Sequence, residues 1–301
     1  MTAKAYAFSP AHITGFFEIC DTSSNPLLIG SRGAGVSINL GVLTEVEVRR
    51  SHRNIVVVKL GSKVVDFKVT KRTVEELLKL ADKPYRVVVT HRFQVPIGSG
   101  FGSSGAGALS TALAVNEALK LGLTKVETAK AAHIAEVKYR TGLGDVAGQL
   151  VGGLEIRKSP GAPGVGLVEK VPSSEITVVC APLGIYKTSS MITNPSMKEK
   201  INKVGRWALS SFLAQPTPSR FIQLSARFAE EVGFVDAALK KFMAASVEAG
   251  ALGFSVKKRV AFALVRERDV EEVLKVFDAF LPKTRYFTSR IDPYGARVVE
   301  K

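Results

Sequence analysis

The sequence predicts an α+β fold in two parts, and three observations carry that reading. Between residues 35 and 93 the chain is dominated by alternating, β-branched runs. A glycine- and serine-rich loop over residues 96–107 then leads from a strand pattern into two successive helix patterns. Beyond residue 166 a strand, a group of helices, a strand, a helix and a strand follow one another, the order of an α+β sandwich half. A chain of 301 residues suits two packed domains. The loop over residues 159–166, with two prolines and three glycines, is the natural border. It divides the chain into residues 1–160 and 161–301.

Taken in order, residues 3–8 alternate and read as a short first strand. Residues 35–48 form the next, with Val36, Ile38 and Leu40 on one face. The runs 54–60 and 63–69 flank Gly61-Ser62, a hairpin signal. Residues 73–80 read as a helix with Thr73 as N-cap and Glu76 three places on. A strand follows over 85–93. The helix after the glycine loop spans about 104–121 and ends at Gly122. Thr124 caps the next helix, Glu127 completes a capping box, and the helix runs to about Arg140, closed by Gly142. Strands are expected over 150–158, 175–181, 260–265 and 284–289, and helices over 196–245 and 270–280. The sequence shows no internal repeat.

Composition narrows the function. The apolar share of 46% and the charged share of 23% are those of an ordinary globular protein. The net charge of +15 is scattered. Its densest groups, Arg49, Arg50 and Arg53 and then Lys257, Lys258 and Arg259, lack interleaved aromatics for base stacking. They read as a charged surface, so no nucleic acid is expected as partner. Cys20 and Cys180 lie far apart in apolar settings and read as reduced, buried thiols. The first ten residues lack the apolar run of a signal peptide. No stretch reaches the roughly 18 apolar residues of a membrane span. A cytoplasmic protein with no membrane partner is the expectation.

The chemistry concentrates in Pro96-Ile97-Gly98-Ser99-Gly100-Phe101-Gly102-Ser103-Ser104-Gly105-Ala106-Gly107. Glycines let backbone N–H groups approach anionic oxygens, and the helix that follows presents free N–H groups and a positive dipole end. Gly100, Gly102 and Gly105 also fit the dinucleotide pattern G-x-G-x-x-G. That unit returns to a parallel strand within about 30 residues, whereas here a second helix follows. A P-loop needs lysine after its last glycine, and none is present. A tight packing turn does not account for so many glycines beside paired serines. A nucleoside triphosphate cradle is the reading these residues favour.

This stretch resembles the central motif P-x-x-x-G-x-G-S-S-A of the GHMP kinase superfamily, with Gly105 where alanine is usual. Ser9-Pro10-Ala11-His12-Ile13-Thr14-Gly15-Phe16-Phe17 and Gly30-Ser31-Arg32-Gly33-Ala34-Gly35 look like its archaeal pantoate kinase branch. The resemblance covers the first 160 residues well and the rest more weakly. It implies a two-domain GHMP-kinase-like fold with the nucleotide in the cleft between domains. It implies ATP held by Pro96, Gly98, Ser99, Gly100, Gly102, Ser103, Ser104 and Gly105. Mg²⁺ would be held by Ser104 and Glu136, which suits an ion that takes few protein oxygens besides phosphate and water. It further implies transfer to the primary hydroxyl of pantoate, a step toward coenzyme A, and a possible homodimer.

Other site residues follow from chemistry set beside the resemblance. Asp145, in Thr141-Gly142-Leu143-Gly144-Asp145, is the expected catalytic base in a glycine-flanked loop just past a helix end. An acceptor carboxylate calls for an arginine fork. Arg157 is the first candidate and Arg32, next to Ser31, the second, with a surface role equally open for Arg32. His12 stands near a place where several branches have lysine. It and His133, on the same helix face as Glu136, are candidate contacts or packed histidines. The third glycine motif of the family is matched best by residues 249–253. Alternatives are a GHMP-type kinase for mevalonate, homoserine or a sugar, a nucleotide-binding regulator without turnover, or a nucleic-acid-binding protein.

Overall fold

The computed structural model describes residues 2–173, 175–184, 194–281 and 286–300. Its framework is a long antiparallel hairpin of β1 (Thr2–Cys20) and β2 (Gly30–Arg50). The strands expected over 3–8 and 35–48 are only parts of it. Two register shifts, between Pro10 and Ala11 and between Thr14 and Phe16, re-aim the side chains of β1. From Ser9 to Ile19 the strand is buried throughout, so no alternation marks it.

β3 (Ile55–Leu60) and β4 (Lys63–Val64) turn at Gly61-Ser62 as expected. The second run does not reach residue 69, because helix α1 (Lys68–Leu78) begins there with Val69, Val74, Leu77 and Leu78 on its buried stripe. Thr73 is therefore inside the helix and not its N-cap, and its Oγ1 donates to the Val69 carbonyl at 2.9 Å. α1 carries the chain across to β5 (Tyr85–Phe93), which lies parallel to β3.

α2 (Ser103–Leu119) and α3 (Lys125–Tyr139) follow, the latter opened by the Thr124–Glu127 capping box. α3 ends with Arg140 in the left-handed conformation, ahead of Gly142. A short helix, α4 (Asp145–Val151), occupies the place where a loop and the start of a strand were expected. β6 (Leu154–Arg157) and β7 (Val168–Val171) complete this region, and β12 (Arg297–Val299) brings the chain end back onto β1. The first sheet runs β12-β1-β2-β5-β3-β4, with β6 pairing the early half of β2 and β7 pairing β6.

The second sheet is antiparallel: β11 (Phe287–Arg290), β8 (Ile176–Pro182), β10 (Val260–Arg266) and β9 (Gly253–Lys257), in that order. Of the strand expected over 284–289, Thr284 and Arg285 lie outside the described residues. The 196–245 pattern resolves into α5 (Pro195–Ala214), α6 (Pro218–Val232) and α7 (Ala237–Glu248), with caps at Asn194, Thr217 and Asp236. α8 (Val270–Phe280) falls where expected.

The second sheet is covered on both faces, and period-two alternation sorts its side chains. Val178, Cys180, Val260, Phe262 and Leu264 face a core shared with α5, α6 and the β1–β2 hairpin. Val179, Ala181, Ala261, Ala263 and Val265 face α7 and α8. Phe16 of β1 meets Phe212 of α5 edge-on, ring centroids 5.6 Å apart. Each such fully buried phenylalanine stabilises the fold by about 1.5–3 kcal/mol. This shared core fixes the β9–β10 turn against the glycine loop: a Cβ on Gly100 would lie 3.2 Å from the Lys257 carbonyl oxygen. Cys180 is buried, Cys20 half-buried, and both are free thiols. Among the described residues, no helix is long and apolar enough to cross a membrane.

Candidate active site

The glycine loop joins β5 to α2. Gly98, Gly100 and Gly102 have φ of 78°, 101° and 61°, values that side chains with a Cβ resist. The loop is pinned from three sides. The His12 N–H donates to the Phe101 carbonyl (2.9 Å), Gln149 Nε2 to the Gly102 carbonyl (2.8 Å), and the Gly98 N–H to Ser103 Oγ (3.4 Å). Gly102 contributes no side-chain cap, so the first-turn N–H groups of α2 are left for an anion. Ser99, Ser103 and Gly105 are buried, Gly98, Gly100, Gly102 and Ser104 half-buried, and Pro96 exposed.

Ser104 and Glu136 meet. Ser104 Oγ donates to Glu136 Oε1 at 2.5 Å, and Thr141 Oγ1 donates to the same oxygen at 2.6 Å. Burial pushes the Glu136 carboxyl up to about 7; the two hydroxyls oppose this and the nearby Asp145 adds to it. Glu136 Oε2 and Asp145 Oδ2 flank Gly142, where a Cβ would lie 2.4 Å from the first and 3.1 Å from the second. One buried carboxylate with one hydroxyl fits Mg²⁺, which takes one or two protein carboxylates besides phosphate and water. No group of three or more His, Cys, Asp or Glu side chains suited to a metal occurs among the described residues.

Asp145 is the first residue of α4, not a residue of an open loop as expected. Its Oδ1 accepts from His12 Nδ1 (2.9 Å) and Thr14 Oγ1 (3.4 Å), and Lys257 Nζ lies 4.0 Å away. Burial alone would push its carboxyl up. Lys257, the His12 bond and Lys258 outweigh burial and hold it well below the usual carboxylate range. These partners favour its charged form. A hollow of about 370 Å³, lined by Asp21, Ile29, Arg140, Leu143 and Lys198 among others, opens beside this segment.

The other nitrogen of His12, Nε2, faces Glu155 Oε1 at 2.9 Å, and the ring is fully buried. Arg157 Nη1 donates to the same Glu155 oxygen. Arg157 is 1% exposed, yet its Nε and Nη2 have no protein partner. Nε lies beside Ser31 and Gly144: a Cβ on Gly144 would sit 2.2 Å from Ser31 Oγ and 2.7 Å from Arg157 Nε. The structure thus brings His12, Asp145, Ser31 and Arg157 together. Arg32 points elsewhere, donating through Nε to Glu18 Oε2 at 2.8 Å. His133 Nε2 is taken by the backbone carbonyls of Pro26 (3.1 Å) and Ile29 (3.0 Å), so it ties down the segment before Ser31.

The Lys257-Lys258-Arg259 run is not the solvated surface that composition suggested. Only Arg259 is exposed; Lys258 is half-buried and Lys257 is 5% exposed. Burial pushes the Lys257 ammonium down to about 7, and Asp145 opposes that shift. The end of β9 delivers this lysine to Asp145 from the second sheet.

Residues 68–153 match the family model described as the GHMP kinases N terminal domain. The chain is 36% identical over 283 residues to a pantoate kinase of Thermococcus kodakarensis, covering 92% of this chain and 93% of that one. It belongs to the GHMP kinase family. A pantoate kinase of Methanocaldococcus jannaschii is 37% identical over 230 residues, covering 76% of this chain and 81% of that protein. Among solved structures, a "phosphotransferase related to CoA biosynthesis pathway" superposes with a TM-score of 0.88 at 32% identity, over 98% of each chain. As a GHMP kinase the protein is a phosphotransferase acting on a hydroxyl group, with ATP as the donor substrate.

Several residues of this GHMP kinase site escape a reading of the sequence. Thr14 and Thr141 carry no spacing signal, and Gln149 reads as an ordinary strand or helix position. Glu155 sits two places before Arg157, so β alternation puts both on one face. That alternation is the one signal the sequence carries for Glu155. Residues 249–253, the expected third glycine motif, pack elsewhere: a Cβ on Gly250 would meet Asp269, and one on Gly253 would meet Ile222. The second sheet approaches the phosphate loop through the Lys257–Val260 turn instead.

Proposed function

We propose that this kinase transfers the γ-phosphoryl group of ATP to the primary hydroxyl of pantoate, a step toward coenzyme A. The observation that carries the substrate is Arg157. A guanidinium removed from water, with two nitrogens unpaired and one of them, Nε, close to Ser31, is costly unless an acceptor's carboxylate completes it. The names of the relatives at 36% and 37% identity support the same acceptor. In this reading the labour is divided between residues 1–160 and 161–301, with β7 and β12 of the second part pairing into the first sheet. The first part supplies the loop, base and acceptor residues, and the second adds Lys257 and Lys258.

In this reading the backbone of residues 98–105 cradles the triphosphate. Ser104 and Glu136 hold Mg²⁺, which when bound neutralises phosphate oxygens. Arg157 and Ser31 fix the acceptor, and Asp145 orients its hydroxyl and takes the proton. His12, donating to Asp145, keeps that carboxylate aimed. Lys257 and Lys258 offset the charge of the moving phosphoryl group. Such transfer is commonly loose, so positioning and charge neutralisation outweigh the strength of the base. His133 acts indirectly, by holding the loop that leads to Ser31, and Arg32 is a structural partner of Glu18.

Product analysis tests the proposal. Incubation with Mg-ATP and pantoate, followed by phosphorus–proton correlation spectroscopy, is expected to place the new phosphate on the terminal methylene. Phosphate on the secondary hydroxyl, or none on pantoate, overturns it.

A further inference from the structure

Glu155 is the buried group to which the proposed reaction assigns no task. It is fully buried, its Oε1 receives both His12 Nε2 and Arg157 Nη1, and its Oε2 has no partner. The His12–Glu155 contact is built with care on both sides. On the β2 side a Cβ at Gly35 would lie 2.3 Å from His12 Nε2 and 2.9 Å from Glu155 Oε1. On the α4 side a Cβ at Gly148 would lie 2.6 Å and 3.1 Å from the same atoms. Two glycines thus clear the space for one contact.

His12 has a carboxylate oxygen at each ring nitrogen, so a proton must sit in each of the two contacts. Arg157 gives one end of its fork to Glu155 and keeps Nε and Nη2 for a ligand. The result is an unbroken buried chain: Asp145, His12, Glu155, Arg157. A site built only for stability would be served as well by apolar side chains, because burying paired charges rarely repays its desolvation. A carboxylate that holds the base's partner and the acceptor's cation at once has a different use.

We propose that Glu155 is a positioning residue that couples acceptor recognition to the base. It fixes the distance between the Arg157 fork and the Asp145 carboxylate, so that an acceptor held by its carboxylate presents its hydroxyl to Asp145. The inference rests on Arg157 being the carboxylate partner. It reaches beyond that reading by predicting that binding and turnover of the acceptor fail together.

Steady-state kinetics with acceptor and ATP varied separately test it, using Glu155→Gln, Glu155→Asp and Gly148→Ala, each with a thermal unfolding curve. Misplacing reacting groups by about 1 Å costs on the order of 10²-fold. Glu155→Gln is therefore expected to lower kcat about 10²-fold and raise the acceptor KM about tenfold, with the KM of ATP within about twofold of wild type. Glu155→Asp restores part of both losses. Gly148→Ala keeps every charged group but drives a methyl into the contact, and shifts kcat and acceptor KM in the same direction. A purely structural role lowers the unfolding midpoint and the amount of active enzyme without moving the acceptor KM.

Wild-type acceptor KM and kcat in any variant that folds overturn the proposal, as does an equal rise in both KM values. If the wild type ignores pantoate but accepts another carboxylate-bearing alcohol, the substrate reading fails alone. The same split, measured on that acceptor, then decides Glu155.

Discussion

Lys257 Nζ stands 4.0 Å from Asp145 Oδ1, although Lys257 closes a strand of the second sheet and Asp145 opens a helix against the first. The proposed base is thus charge-matched by a cation from the second sheet. Burial holds the Lys257 ammonium near 7 against the pull of Asp145, so the free enzyme carries this cation below about pH 7 and loses it above. The profile of kcat/KM, which reports the free enzyme, is expected to fall as pH rises through that point. Lys257→Arg, always charged, moves the limb beyond pH ~9. Lys257→Ala lowers kcat by about 10²–10³-fold. A wild-type profile flat from acid to alkaline pH removes Lys257 from the reaction.

Asp145→Asn keeps the shape of the base and removes its charge. Loss of a positioned base costs about 10²–10⁴-fold in rate. ATP affinity, set by the glycine loop, is expected to change little. Turnover at the wild-type rate, measured by ADP release, contradicts the assignment.

Glu136→Gln and Ser104→Ala each remove one of the two proposed metal-binding oxygens. Each is expected to raise the Mg²⁺ concentration for half-maximal rate about tenfold or more, the equivalent of roughly 1.4 kcal/mol. An unchanged magnesium titration removes both residues from the metal site.

Arg157→Lys keeps a positive charge but loses the fork. Lysine does not replace a bidentate guanidinium, so the acceptor KM is expected to rise on the order of 10-fold to 10²-fold, as for one lost charge-assisted bond of about 1.5–3 kcal/mol. The KM of ATP stays near wild type. An effect confined to ATP moves Arg157 to the nucleotide side.

The glycine loop, the Thr124 capping box and the strand over 85–93 were readable because each is local: its signal and its cause lie within a few residues. So was the pairing of Ser104 with Glu136, through the family resemblance of the loop. The long hairpin is only half readable, because bulges and two-sided burial erase alternation in residues 9–19. Lys257 is hidden from the sequence for a more basic reason. Nothing near it in the sequence distinguishes a buried lysine from a solvated one; only the packing of the second sheet against the loop does. Glu155 escapes the sequence because His12, and through it Asp145, is joined to it by the fold alone.

ADP release with Mg-ATP against pantoate, mevalonate, homoserine, shikimate and galactose, offered separately, decides the acceptor. Strong turnover with pantoate and background rates with the rest is the predicted result. Preference for any other acceptor, or no turnover with pantoate, contradicts it.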